Sequence, residues 1–249
     1  MAGARALTAR SVLASALLGE DPPELPVGHL VRLAGLFGIS PNRARVALHR
    51  MVSAGEATTD GAGRYRLAGH LIARRERQHA SRRGHTRRWS GAWILAAVRA
   101  GPSSPEARLA RRRRLTLARL AERREGLWLR PDNIEVRLGD PAGLGIELYR
   151  GRPDGDPAAL AGECWNLEAW GSGARALVDV LASRAPQEAE DLAPGFVLSA
   201  AVLRHLQADP LLPASLLPHD WPGAALRSAY DDWDRCYRNT LRHWGRSAQ

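Results

Sequence analysis

Asn42, Arg43, Val46, His49, Arg50 and Ser53 lie within one short stretch, GISPNRARVALHRMVSAGE, and are of the types that read nucleic acid. Amide and guanidinium groups donate to base edges and phosphates, and an apolar side chain can meet a thymine methyl. That chemistry needs all of them on one face. At about 100° per residue, a helix with Leu48 at the centre of its buried side puts Ala44, Ala47, Met51 and Val52 beside Leu48 and the polar set opposite. Ser40 is a good N-cap and Pro41 suits the first helical position, so the spacing predicts a helix from Ser40 to about Ala54. Arg45 falls about 60° from the core centre, an edge position suited to bracing helix on helix or touching a phosphate. His49 sits at the margin of the face, as a phosphate donor or simply as an exposed side chain. An ordinary solvated helix has the same composition, so the flanking elements must decide.

Those elements are legible on both sides. A first helix is expected from about Thr8 to Leu18, with Leu7, Val12, Leu17 and Leu18 as its buried stripe, stopped by Gly19 and the Pro22-Pro23 pair. The start, MAGARALTARSVLASALLGE, resembles a short signal peptide, but Arg10, Ser11 and Ser15 interrupt its apolar run. A second helix is expected from Val27 to Phe37, ended by Gly38. Helix, tight glycine turn and N-capped helix make a helix-turn-helix. After Gly55, Ala57 to Thr59 and Arg64 to Leu67 flank a glycine-rich turn and read as a hairpin. Such a hairpin is a wing, with Arg64 and Arg66 beside the DNA backbone.

Charge is unevenly distributed. Residues 1–88 carry 15 Arg against 6 acids, residues 89–130 carry 10 against 3, and residues 131–249 carry 11 against 17. A basic front and an acidic back suggest a polyanion-binding part joined to a part with another task. With 45% apolar and 25% charged residues the chain reads as soluble and globular, and no stretch approaches the roughly 20 apolar residues of a membrane span. Cys164 and Cys236 lack CxxC or HExxH company, so no metal site and reduced thiols in a cytoplasmic protein are expected. Walker, GxGxxG and GxSxG patterns are missing as well.

The stretch GISPNRARVALHRMVSAGE followed by GRYRL resembles the PaaX-like transcriptional regulators, a family named for the repressor of phenylacetate degradation. More specifically, LRHLQADPLLPASLLPHDWPG is similar to that family's C-terminal signature, DP-x-LP-x-x-LLP-x-x-W-x-G after a helix. Asp209, Pro210, Leu212, Pro213, Leu216, Leu217, Pro218, Trp221 and Gly223 match it. Shorter matches at WSGAW (Trp89 to Trp93), LWLRPDN (Leu127 to Asn133) and ECWNL (Glu163 to Leu167) extend the resemblance along nearly the whole chain. Arg45 and Arg50 match arginines of the family.

The expected fold class is α+β multidomain. It comprises an N-terminal winged helix-turn-helix (1–69), a basic linker helix (70–88), a ferredoxin-like middle domain (89–156) and a C-terminal helical domain (157–249). The Cas2-like form of the middle domain and its use in dimerisation are what the resemblance implies. Trp93 to Val98, Leu127 to Leu129 and Ile146 to Tyr149 read as its strands, with a helix from Pro105 to about Glu125. Pro131 to Gly145 is too short for a further strand and a second helix, so the module is expected to be trimmed. The run Arg111 to Arg114 is read as a solvated face. The C-terminal helices are expected at about 157–170, 173–183, 195–208 and 221–244, with Asp231, Asp232 and Asp234 on the outer face of the last. Between the last two, DPLLPASLLP reads as a proline-fixed bracket whose leucines plug into neighbouring helices.

The resemblance implies a repressor of a catabolic operon, relieved by an aromatic acyl-CoA thioester. Two-fold symmetry would make it a homodimer on palindromic double-stranded DNA. Trp165 and Trp221 are the candidate effector contacts, since an indole offers a large apolar surface with a donor. No cofactor besides that effector, no metal, no membrane and no enzymatic activity are expected: the strand WILAAVRAGP lacks the carboxylate that a Cas2-like nuclease needs for its cation. The competing reading is a sequence-nonspecific architectural DNA-binding protein without an effector. The acidic, tryptophan-rich back half favours the regulator.

Overall fold

The computed structural model describes residues 7–99, 101 and 103–247. It is a mixed α/β structure with two small antiparallel sheets, and its contacts separate into two units. One unit combines the chain up to Ala80 with Leu181–Leu203 and the chain from Tyr230; the other combines Ser81–Val180 with Arg204–Ala229. The residues expected as one helical domain, 157–249, are thus shared between both. Residues 1–6 of the basic start lie outside the described residues.

The first unit is built on helices α1 (Ala9–Gly19), α2 (Val27–Gly35) and α3 (Pro41–Ser53). Thr8 caps α1 by accepting from Ser11 N–H at 3.1 Å. Val12, Leu17 and Leu18 are buried as expected, but Leu7 precedes the helix and is 40% exposed; Leu13, Ala14 and Ala16 complete the stripe. α2 stops at Gly35, two residues short of Phe37. There Gly38 adopts φ +67° and the Ile39 and Gly38 N–H groups return to the Ala34 and Gly35 carbonyls, a Schellman closure. Strands β1 (Glu24–Pro26), β2 (Ala57–Thr59) and β3 (Arg64–Leu67) form a sheet of order β1-β3-β2. β1 is a three-residue edge strand ending in proline, too short to carry a local signal in the sequence. Proline is tolerated at an edge, where its missing N–H costs no ladder bond.

Leu13, Leu17, Leu30, Leu33, Leu48, Met51, Leu67 and Leu71 make the core of this unit, and Phe196 and Leu241 pack on it from the distant end of the chain. Phe196 belongs to α8 (Leu192–Ala208) and Leu241 to α9 (Gly223–Ser247). Phe37 and Phe196 meet edge to face with ring centres 5.0 Å apart. Arg238 of α9 donates to the Gly19 carbonyl and to Asp234 at 2.9 Å. Asp234 is therefore buried, and only Asp231 and Asp232 lie on the outer face expected for all three acids. Trp233 and Tyr237 stack at 5.2 Å and donate to the carbonyls of Arg184 and Leu192.

The helix that follows the hairpin, α4 (His70–Arg83), is shorter than the 70–88 expected, because Gly84 breaks it at φ +63°. The second unit then opens with strand β4 (Trp93–Val98) and helix α5 (Pro105–Leu117). Strands β5 (Ala121–Arg124), β6 (Leu127–Pro131) and β7 (Ile146–Gly151) complete an antiparallel sheet of order β5-β6-β4-β7. The helix expected to reach Glu125 stops at Leu117 because Arg119 takes a left-handed φ of +63°. Leu120 and Arg119 N–H groups close on the Leu115 and Thr116 carbonyls, and the freed residues become β5. No helix lies between β6 and β7, where residues 132–145 are turn and loop.

One sheet face packs Ala96, Trp128 and Ile146 with Leu115 of α5; the other packs Trp93 and Leu129 with Ala161, Leu212 and Leu216. Ala161 lies on α6 (Pro157–Cys164), which α7 (Leu167–Ser183) follows. The proline bracket thus plugs into the sheet and not only into helices. Buried Asp209 accepts from Leu211 N–H (2.9 Å) and Arg227 (2.8 Å). Leu211 stands at φ +50°, and its carbonyl accepts from Asn133 (2.8 Å) and Arg130 (3.3 Å). Arg130 is fully buried, and its acceptors are the Pro131, Arg119 and Leu211 carbonyls and the Asn133 amide oxygen. LWLRPDN and DPLLP, separate matches in sequence, are two halves of one lock.

Among the described residues no helix is long and apolar enough to cross a membrane, and no group of His, Cys, Asp and Glu could hold a metal ion. Both cysteines are free, Cys164 half-buried and Cys236 exposed.

Candidate DNA-binding face

The local sequence fixes α3 at both ends. Ser40 accepts from Arg43 N–H at 3.4 Å and Pro41 occupies the first turn, where its missing N–H would have no partner anyway. At the far end Gly55, at φ +68°, lets the Glu56 and Gly55 N–H groups bond the Met51 and Val52 carbonyls. Between these caps the helix divides as its spacing requires. Ala44, Leu48 and Met51 are buried and Ala47 and Val52 are half-buried, while Asn42, Arg43, Val46, His49, Arg50 and Ser53 are exposed. Arg45 is exposed as well. Neither it nor Asn42, Arg43 or Arg50 makes a side-chain hydrogen bond or ion pair among the described residues. Ser53 has its hydroxyl donated to the His49 carbonyl at 3.1 Å, leaving that oxygen as an acceptor only.

The hairpin that follows is turned by Asp60, whose Oδ1 accepts from Ala62 N–H (2.8 Å) and Arg64 N–H (3.0 Å). These backbone donors hold the Asp60 carboxyl below the usual carboxylate range. At the hairpin's base Glu56 is buried and paired with Arg10 of α1. The Arg10 guanidinium lowers the Glu56 carboxyl likewise.

Arg64 and Arg66 project from β3 and are exposed, as expected, yet they are not free. Glu24 stands directly opposite Arg66 in the β1–β3 register. Its Oε2 accepts from Arg66 Nε (2.9 Å) and Nη2 (2.6 Å), and its Oε1 accepts from Arg64 Nη2 at 3.2 Å. Arg66 above all holds the Glu24 carboxyl below its ordinary range. Sequence reasoning missed Glu24 because only the pairing of β1 with β3 brings it within reach of these arginines.

Two family profiles match the chain: PaaX-like protein over residues 8–71 and PaaX-like protein C-terminal domain over residues 165–245. The chain belongs to the PaaX-like family. A solved structure similar to it is that of an uncharacterized protein, Rv0674, from Mycobacterium tuberculosis. The two are 38% identical, over 95% of this chain and 98% of that one, with a TM-score of 0.76. No functionally curated protein matches. The PaaX-like family is regulatory rather than catalytic and implies DNA binding. All nine candidate DNA contacts lie inside the N-terminal PaaX-like match. Trp165 and Trp221 lie inside the C-terminal one, but in different surroundings. Trp165 is half-buried against Trp93, Leu129 and Leu212, whereas Trp221 stacks on Trp170 at 4.5 Å.

Proposed function

We propose that the chain is a sequence-specific transcriptional repressor whose N-terminal region is a winged helix-turn-helix, with α3 as the recognition helix and the β2–β3 hairpin as the wing. The observation that carries this reading is the outward face of α3: an amide, three unpaired guanidinium groups and an exposed valine between two firm caps. Backbone contacts position such a protein and base-edge contacts from the helix specify its site. Asn42, Arg43, Val46 and Arg50 are the readers. His49 and Arg45 reach phosphates, Ser53 accepts, and Arg64 and Arg66 flank the backbone.

The middle module supports a ferredoxin-like reading of Cas2 type. Its strand order is the one that fold uses, with residues 132–145 in place of the second helix. A homodimer built through it would present two copies of α3 to half-sites about one helical turn apart on a palindromic operator. An aromatic acyl-CoA thioester would relieve repression by binding the DNA-incompetent state more tightly.

Gel shifts with a duplex from upstream of the protein's own gene, at rising salt, test the reading. Specific binding should survive a salt concentration at which a random duplex is released. Equal loss on both duplexes would make this a nonspecific DNA-binding protein instead. A panel of aromatic acyl-CoAs should weaken the shifted band; no member doing so would remove the effector.

A further inference from the structure

We propose that Glu24 is an attenuating residue of the DNA-binding face: by pairing with Arg64 and Arg66 it suppresses the wing's sequence-independent attraction to the DNA backbone. This rests on the DNA-binding reading above.

The geometry separates two kinds of arginine. Arg43, Arg45 and Arg50 on α3 have no acidic partner among the described residues. The wing arginines share one carboxylate, both of whose oxygens are engaged. The Glu24 side chain is 18% exposed, beneath arginines that are 52% and 63% exposed. A phosphate approaching from solvent therefore meets Arg64 Nε and Nη1 and Arg66 Nη1 with a negative charge directly behind them. The cluster of Glu24, Arg64 and Arg66 carries a net charge of one where the two arginines alone would carry two.

Phosphate contacts add affinity for any sequence, and each one neutralised steepens the fall of log K with log salt by about 0.9. An unpaired wing would raise binding to operator and to random DNA by the same factor, leaving the ratio between them unchanged while making both complexes tighter and more salt-dependent. β1 is three residues long, follows Pro23 and ends in Pro26, and delivers one acid to this place.

The test is Glu24→Gln in the full chain, which keeps the shape and removes the charge. Binding is read by anisotropy on the upstream duplex and on a random duplex of equal length. The expected result is a salt slope steeper by about 0.9 to 1.8. The variant-to-parent affinity ratio then falls about 3- to 12-fold between 50 and 200 mM salt on both duplexes, and the specific-to-random ratio stays that of the parent. In an Arg64→Gln, Arg66→Gln background the same substitution should change nothing. That double variant alone should keep the parent's specificity ratio and lose less than about 0.9 of slope, a readout that holds even if Glu24→Gln fails to fold. An unchanged or shallower slope in Glu24→Gln, or a double variant that loses two full contacts' worth of slope, overturns the assignment of Glu24 while leaving DNA binding intact. A parent without salt-dependent binding to either duplex overturns both.

Discussion

Arg50 points outward from the last turn of α3 with no acid among the described residues to hold it, so its guanidinium keeps its full donor set for a partner. If that partner is a guanine edge, Arg50→Ala costs about 1–3 kcal/mol of operator binding. The loss should be confined to the specific duplex, whereas Arg45→Ala, as a phosphate contact, should weaken both duplexes alike. Titration of each variant against operator and random DNA separates the two roles. Glu56 is the opposite case, a carboxylate committed to the fold. Arg10 holds its folded pKa below the ordinary glutamate value of about 4.3, so its stabilisation is complete above that value. It is lost as pH falls through the depressed folded value. Arg10 is half exposed, and solvent screening limits the pair to about 1 kcal/mol. Glu56→Gln should therefore melt below the parent at pH 7 and 5, and the gap should narrow progressively as pH falls below about 4.3.

The lock between the β6 end and the proline bracket makes the corresponding case for elements. Asn133 is fully buried, donates to the Leu211 carbonyl and accepts from Arg130. Asn133→Ala strands both, and each buried polar group left unsatisfied costs about 1–3 kcal/mol. Thermal melting should show the loss, and DNA affinity measured well below the transition should stay near that of the parent, since no candidate reader is touched. The sequence makes some elements plain and hides others for physical reasons. α3 announces itself because periodicity, cap and turn all agree locally. β1 is three residues long with prolines around it, and its one signal is pairing with a strand about forty residues away. Ala121–Arg124 is made of good helix formers, and it becomes a strand because Arg119 closes α5 in a left-handed turn and sends its side chain to Ser81 and the Gln207 and Asp209 carbonyls. Asp209 is visible in the signature as a residue, but its partner Arg227 is a consequence of packing.

At the scale of the whole molecule, the unit that carries α3 is assembled from three separate stretches of chain. Its core is incomplete without residues that follow the entire middle module. Phe196 covers Phe37 at the end of α2, Trp244 meets His29 edge to face at 6.4 Å, and Arg238 closes the end of α1. The unit that carries α3 therefore depends on the acidic back half of the chain for part of its core. Contacts of such long sequence separation repay their loop-closure entropy only once both partners are in place. A double-mutant cycle on Phe37→Leu and Phe196→Leu isolates one of them. Each single change should lower the stability of the unit, and the pair should show a coupling of about 0.5–1.5 kcal/mol, the worth of an aromatic contact beyond its buried area. Read by hydrogen exchange at the α2 amides, the singles should open those helices while leaving the β4–β6 amides protected to the parent's degree. Additive losses, or equal deprotection of β4–β6, would mean that Phe196 supports α2 through no direct contact.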